Sequence, residues 1–149
     1  MKFALILFFG VVVCGAEFDK DLVMKFIQKI KKVSDECTAE THASPEDIKA
    51  LLEHKIPESH EGKCMVFCFH KHFHIQNEDG SLNKAETIAS LDPIKEHNRE
   101  VYDKVVKVLE TCADTAATDS DHCIYATNLA DCAIREGKSM GLDELLVVE

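Results

Sequence analysis

The sequence predicts an all-α fold, a compact bundle of about six helices. Apolar residues recur at three- and four-residue spacing in successive segments, as on the buried face of a helix. Residues that favour helix starts, such as Ser44-Pro45 and Asp92-Pro93, precede several of these segments. No segment shows the alternation of apolar and polar residues that is typical of a half-buried strand.

The first residues have the composition of a secretory signal peptide. Lys2 precedes a nearly unbroken apolar run, Phe3 to Val13, and small residues follow at Cys14-Gly15-Ala16. The run is shorter than the roughly 20 apolar residues of a membrane span. We therefore expect a signal peptide at residues 1–16, one domain at residues 17–149 and a product secreted into extracellular fluid without stable membrane insertion.

The first three predicted helices differ in how clearly their ends are marked. The first carries an apolar stripe and should stop near Cys37. The second begins at Ser44-Pro45, where Asp47 stands at the acidic position of a capping box. Ser59 can cap the third helix, which is apolar on most sides through its middle and is therefore predicted to be central.

The second half of the chain predicts three more helices and an apolar tail. A turn at residues 77–81 precedes a short fourth helix, and a fifth runs from Asp92-Pro93 towards Cys112. The small and polar residues 113–120 predict a connection, after which Asp119 or Ser120 can cap a sixth helix. The tail, residues 142–149, is unusually apolar for a chain end.

The charge of the chain argues against one class of partner. The formal net charge is -10, and so acidic a protein repels the phosphate backbone of nucleic acids. We therefore expect no nucleic-acid partner.

The cysteines indicate a disulfide framework. Removal of the signal peptide takes Cys14 with it and leaves six cysteines, an even number in a small secreted protein. Cys64 and Cys68 lie side by side on one helix face, and Cys123 and Cys132 point to opposite sides of another helix, so neither pair can bond internally. Six cysteines allow fifteen pairings, and these two exclusions leave ten.

The cysteine spacing resembles that of the six-cysteine insect odorant-binding proteins, the pheromone- and general-odorant-binding family. It reads C-x26-C-x3-C-x43-C-x10-C-x8-C from Cys37 to Cys132, and the x3 and x8 intervals are the most characteristic of that family. The resemblance implies the pairs Cys37–Cys68, Cys64–Cys123 and Cys112–Cys132, which are among the ten. It also implies an apolar cavity enclosed by the helices.

The same resemblance implies a function. Such a protein is a carrier that reversibly binds small hydrophobic molecules (odorants, pheromones or related lipids). It needs no cofactor and acts as a monomer or weak homodimer, with a membrane odorant receptor as a further partner. The alternative from another class is a secreted helical interaction protein on the same scaffold with no ligand cavity.

The candidate cavity residues are apolar and aromatic side chains on the predicted helix faces. Residues of this kind line most small-molecule pockets, although the sequence cannot separate a cavity wall from ordinary core. They are Met65, Phe69, Phe73, Ile88, Val105, Leu109, Tyr125 and Leu129. In the tail, Leu145, Leu146, Val147 and Val148 could cover or enter the cavity, and the acids Asp143, Glu144 and Glu149 would make such a gate depend on pH.

Metal and enzyme alternatives have less support. His70 and His74 are spaced for chelation on one helix face, but no third ligand is clear, and three histidines at a solvated helix end are the simpler interpretation. We expect no metal site. No nucleophile elbow, zinc-protease motif or phosphate loop occurs, so we expect no catalytic residues and no enzymatic activity.

Overall fold

The structure, a computed structural model, describes residues 4–7, 11–14 and 20–142, with the backbone alone for the first two ranges and for residues 22 and 23. It contains two strands and seven helices in these ranges. They are β1 (Ala4–Leu7), β2 (Val11–Cys14), α1 (Lys20–Thr41), α2 (Pro45–Leu52), α3 (His60–His72), α4 (Lys84–Ala89), α5 (Asp92–His97), α6 (Arg99–Thr115) and α7 (His122–Ser139).

The two strands lie in the segment predicted to be a signal peptide. β1 and β2 pair in antiparallel fashion, with Ala4 opposite Cys14 and Leu7 opposite Val11. The expectation that no segment forms strands is therefore wrong here, since a run of β-branched valines also suits a strand. Every other described element is a helix, and the all-α class is confirmed for the rest of the described chain.

Helix α1 is longer than predicted. It ends at Thr41 rather than near Cys37, because neither Gly nor Pro interrupts the chain before Pro45. The hydroxyl groups of Thr38 and Thr41 donate to carbonyl oxygens one turn earlier, at 2.7 Å in each case. His42 then turns the chain away with a φ of 57°.

The predicted starts of α2 and α3 are confirmed, and one buried carboxylate joins them. Asp47 accepts hydrogen bonds from the backbone N–H and the hydroxyl of Ser44, both at 2.9 Å, and thereby completes the capping box. It also accepts a bond of 2.7 Å from the hydroxyl of Ser59, which caps α3. Burial raises the pKa of Asp47, but these hydrogen bonds outweigh burial and leave the pKa below its usual value.

The predicted fifth helix is interrupted. Asn98 adopts an extended conformation, with φ -151° and ψ 96°, and separates α5 from α6. Its side chain accepts a hydrogen bond of 3.1 Å from the N–H of Val101 and so caps α6. This break accounts for seven helices where about six were predicted.

The cap of α7 lies one residue after Ser120, the later of the two predicted candidates. Asp121, and not Asp119 or Ser120, accepts hydrogen bonds from the N–H groups of Cys123 and Ile124, at 2.8 and 3.3 Å. At the other end, Gly141 adopts a positive φ of 72° and the N–H of Leu142 donates to the carbonyl of Gly137. This is the usual end of a helix at glycine.

The bundle is organised around α3, as predicted. Helix α3 packs against α7 and α1, while α6 packs against α7 and α5. Among the described helices, none is long and apolar enough to cross a bilayer.

Candidate ligand-binding site

Three disulfides fix the helices that surround the core. Cys37–Cys68 joins α1 to α3, Cys64–Cys123 joins α3 to α7, and Cys112–Cys132 joins α6 to α7. These are the pairs that the family resemblance implies. Since Cys64 and Cys68 leave the same face of α3 towards different helices, α3 is held on two sides.

Most of the buried apolar side chains that the structure describes fall into three clusters. The α1–α3 cluster contains Val33, Cys37, Ala43, Met65, Cys68 and Phe69. The α6–α7 cluster contains Leu91, Val101, Val105, Val108, Cys112, Cys132, Ala133 and Leu142. A smaller α3–α7 cluster contains Val66, Ala126 and Ala130. Each of the two larger clusters contains one of the disulfides.

The structure does not bring the predicted lining residues into a single cluster. Met65 and Phe69 are fully buried in the α1–α3 cluster, and Phe73 packs at its edge. Val105 is buried in the α6–α7 cluster, and Leu109 packs against it.

Three other lining candidates lie outside all three clusters. Leu129 is buried, whereas Ile88 and Tyr125 are partly exposed. The tail candidates Leu145 to Val148 fall outside the residues that the structure describes, as do the three tail acids.

An aromatic row runs along the edge of the α1–α3 cluster. The rings of Phe69 and Phe73 are parallel, with centroids 6.1 Å apart, and the ring of Phe26 lies 6.0 Å from that of Phe73. Phe26 lies on the apolar stripe of the first helix and is not among the lining residues predicted from the sequence. The only signal for it is its position on that stripe, which cannot show that α1 crosses the end of α3.

Several residues of the α6–α7 cluster were also missed as candidates. Tyr102, Val106 and Met140 pack against it while remaining partly exposed. Leu142, which we had assigned to the tail, is fully buried in this cluster. The turn at Gly141 explains this placement, because it directs the chain back from the end of α7.

A surface groove lies between α1, α3 and α7 and has a volume of about 330 Å³. Its lining includes His60, whose Nε2 lies 2.7 Å from a carboxylate oxygen of Asp121, and the Cys64–Cys123 disulfide. The hydrogen bond from His60 holds the pKa of Asp121 below its usual value. Glu40, Glu61 and Lys71 also line this groove, so charged groups border the ring of Phe67 and the disulfide.

The histidines near the end of α3 do not share one solvated helix end, so that interpretation is wrong for His70. His70 is buried, its Nδ1 lies 2.6 Å from the side-chain oxygen of Gln76, and burial lowers its pKa to about 3 despite that bond. His74 lies beyond the last residue of α3, with a φ of 58°, and its Nδ1 faces Glu86 at 3.4 Å. The i, i+4 helical spacing that suggested chelation is therefore absent.

Comparisons with known proteins identify the family. The model of the PBP/GOBP family matches residues 19–136. General odorant-binding protein 19d of Drosophila melanogaster is 35% identical over 112 residues, which cover 75% of this chain and 74% of that protein.

Two solved structures share the fold. The odorant-binding protein dmelOBP28a of Drosophila melanogaster superposes with a TM-score of 0.68 at 21% identity, covering 79% of this chain and 97% of that one. A pheromone-binding protein of the cockroach Leucophaea maderae, solved in complex with the fluorescent reporter ANS, gives a TM-score of 0.61 at 18% identity, covering 72% and 92%. The chain belongs to the PBP/GOBP family.

Proposed function

We propose that this protein is a carrier that reversibly binds small hydrophobic molecules, such as odorants, pheromones or related lipids, and releases them unchanged. The observation that carries this proposal is membership of the PBP/GOBP family. Two groups of buried apolar residues, the α1–α3 cluster and the α6–α7 cluster, are available as walls for such a site. A carrier requires an apolar site that binds its ligand without reacting with it.

We place the ligand between the α1–α3 cluster and the α6–α7 cluster. Met65, Phe69 and Phe73 would form one wall, and Val105 and Leu109 the opposite wall. Leu129 is buried outside every cluster, which suits a position between the walls, and Ile88 and Tyr125 would complete the lining. Disulfides within both clusters would hold these walls in place when the site is empty.

The C-terminal tail is proposed as a gate for this site. Its first apolar residue, Leu142, is buried in the α6–α7 cluster, so the tail starts next to one proposed wall. Leu145 to Val148 would then be within reach of the opening, and protonation of Asp143, Glu144 and Glu149 would alter their docking.

The same proposal includes secretion of the protein. Residues 1–16 would be removed as a signal peptide, and residues 17–149 would act in extracellular fluid as a monomer or weak homodimer. A membrane odorant receptor is the proposed destination of the ligand. No catalytic step is assigned to the chain.

The test is a titration of the oxidised, delipidated protein with ANS, the dye that the cockroach protein binds in its solved structure. The chain has no Trp, so intrinsic fluorescence contributes little background. We expect saturable binding in the micromolar range at one site per chain, and competition by an aliphatic alcohol or ester. Absence of saturable binding would favour the alternative, an interaction protein whose core is filled.

A further inference from the structure

The outer face of α1 is a positively charged surface on an otherwise acidic protein. Residues 22–34 contain four lysines and no acid, while the chain as a whole has 17 basic and 27 acidic residues. The lysines are Lys25, Lys29, Lys31 and Lys32, and all four are exposed. Together with Met24 and Ile27 they form what we call the α1 lysine face.

The two faces of α1 differ sharply in what they contact. Val33 and Cys37 are buried in the α1–α3 cluster. On the outer side, Met24 is 53% and Ile27 45% exposed, and Leu52 is the third large apolar side chain exposed to this degree among the described residues. Met24, Ile27 and Lys31 follow at i, i+3 and i+7, so they share one side of the helix.

Three exposed acids of α1 stand one helical turn from these lysines and offset part of their charge: Asp21 before Lys25, Asp35 after Lys31 and Glu36 after Lys32. Lys32 lies 3.8 Å from Glu36, but both side chains are largely exposed, so this pair is weak. The ammonium of Lys29 lies 4.6 Å from the ring centroid of Phe73. Among the residues that the structure describes, Lys25 and Lys31 make no ion pair. With four lysines against these three acids, the face keeps a small net positive charge.

We propose that the α1 lysine face docks the protein on an anionic lipid surface. A wholly polar acidic surface could pair with the lysines but would leave Met24 and Ile27 without an apolar partner. The surface of an anionic bilayer offers negative headgroups for the lysines and a less polar layer for the two apolar side chains. Basic residues around an exposed apolar patch on a helix are typical of segments that lie in this interface.

Docking in this way would orient the molecule. The rest of the chain carries an excess of acids and is repelled by an anionic surface, whereas α1 is attracted once it lies within about one Debye length, about 10 Å at 0.1 M salt. Helix α1 also carries Phe26, which begins the aromatic row described above. The proposed contact thus brings the α1–α3 cluster towards the bilayer. It does not depend on the proposed carrier function, since it needs no bound ligand.

The test is co-sedimentation of the protein with lipid vesicles. The protein is secreted from an expression host, and its N-terminus is read by mass spectrometry. Vesicles of phosphatidylcholine alone are compared with vesicles that also contain phosphatidylserine, at about 0.1 M and about 0.5 M salt. We expect binding only to the anionic vesicles and only at the lower salt concentration.

Matched variants distinguish an effect of the α1 lysine face on vesicle binding from an effect of the overall charge. Lys25→Glu with Lys31→Glu should lower the vesicle-bound fraction about tenfold. Lys84→Glu with Lys107→Glu changes the net charge equally at two exposed positions on α4 and α6 and should change binding less than about twofold. Met24→Ser with Ile27→Ser removes the exposed apolar groups and should lower binding several-fold at unchanged charge. All three variants alter exposed residues, and circular dichroism checks their folding.

Three results would overturn the proposal. The first is equal loss of binding in the two lysine double variants, and the second is equal binding to both kinds of vesicle. The third is a concentration-dependent dimer in sedimentation velocity that Lys25→Glu with Lys31→Glu abolishes, with no vesicle binding by the parent protein. That outcome would make the face a contact between two copies of the chain.

Discussion

Helix α3 and the α4–α5 segment follow each other in the chain but are held in place by different means. Helix α3 is bonded through Cys64 and Cys68 to two other helices. Nearly half of its residues are buried, among them Met65 and Phe69. Helices α4 and α5 have six residues each and no disulfide. Thr87 is the one buried residue of α4, and α5 has none.

The comparison indicates which side of the proposed site opens most easily. Regions with few buried contacts open locally at a lower free-energy cost than cross-linked core helices. The α1, α3 and α7 side is fixed by covalent bonds, whereas the α4–α5 side depends on packing of residues such as Leu91 and Ile94. A ligand would therefore enter more easily past α4 and α5 than past α3.

The largest expected effect comes from removing the covalent bond between α3 and α7. Cys64→Ala with Cys123→Ala opens a link between residues 59 positions apart and should lower the free energy of unfolding by about 4 kcal/mol. Cys112→Ala with Cys132→Ala opens a shorter loop of 20 positions and should cost about 3 kcal/mol. Urea denaturation measures both. A larger loss for the second pair would contradict the central role of α3.

The next effect is a loss of stability at low pH that arises from His70, near the end of α3. Burial lowers the pKa of His70 to about 3, whereas an unfolded histidine titrates at about 6.5. Between these values the unfolded chain binds a proton that the folded protein does not, so stability falls as the pH falls through this window. The loss from this residue should be about 2 kcal/mol between pH 7 and pH 5.

Two variants test whether His70 causes this loss of stability. His70→Gln cannot take up the proton and should flatten the dependence of unfolding free energy on pH between 7 and 5. His42→Asn alters an exposed histidine in a left-handed conformation that asparagine tolerates, and it should leave the slope unchanged. If both variants keep the slope of the parent protein, His70 is not its source.

A smaller effect tests the close packing at the start of α3. A Cβ atom on Gly62 would lie 2.5 Å from Cβ of Pro57 and 2.6 Å from a carboxylate oxygen of Asp47. Gly62→Ala should therefore lower the free energy of unfolding by about 1–3 kcal/mol, although alanine favours helices over glycine. Its control is Glu96→Ala, on the exposed face of α5, which should change stability by less than about 0.5 kcal/mol. Thermal unfolding followed by circular dichroism compares them.

The smallest effect concerns the junction of α5 and α6. Asn98→Ala removes the cap of α6 and should cost about 1 kcal/mol. Asn98→Ser, which can still accept the bond from Val101, should recover most of that loss. Equal losses in the two variants would show that the cap does not stabilise this junction.

Helix caps could be predicted from the sequence, whereas the burial of side chains by distant parts of the chain mostly could not. Ser44 and Ser59 were recognised as caps because the signal lies within four residues. Asn98 carries the same kind of signal, but the apolar spacing continues through it and suggested a single helix. His70 was misplaced because burial depends on the 76–80 turn, where the amide of Gln76 donates to the carbonyl of Gly80.

For the candidate site, too, local features could be predicted and contacts between helices could not. The apolar residues on α3 and α6 were identified because helical spacing reveals which face is buried. Spacing within one helix does not reveal which other helix that face meets. The division of the core into separate clusters, and the roles of Phe26 and Leu142 in them, therefore required the structure.

The most direct way to test for a ligand site between the two walls is to fill the proposed space with a larger side chain. Leu109→Phe adds volume at the edge of the α6–α7 cluster, and Leu52→Phe makes the same change on a side chain that is 55% exposed. ANS affinity should fall at least about tenfold in Leu109→Phe and change less than about twofold in Leu52→Phe, with both variants folded. Equal affinity in the two variants and the parent protein would contradict a ligand site between the clusters.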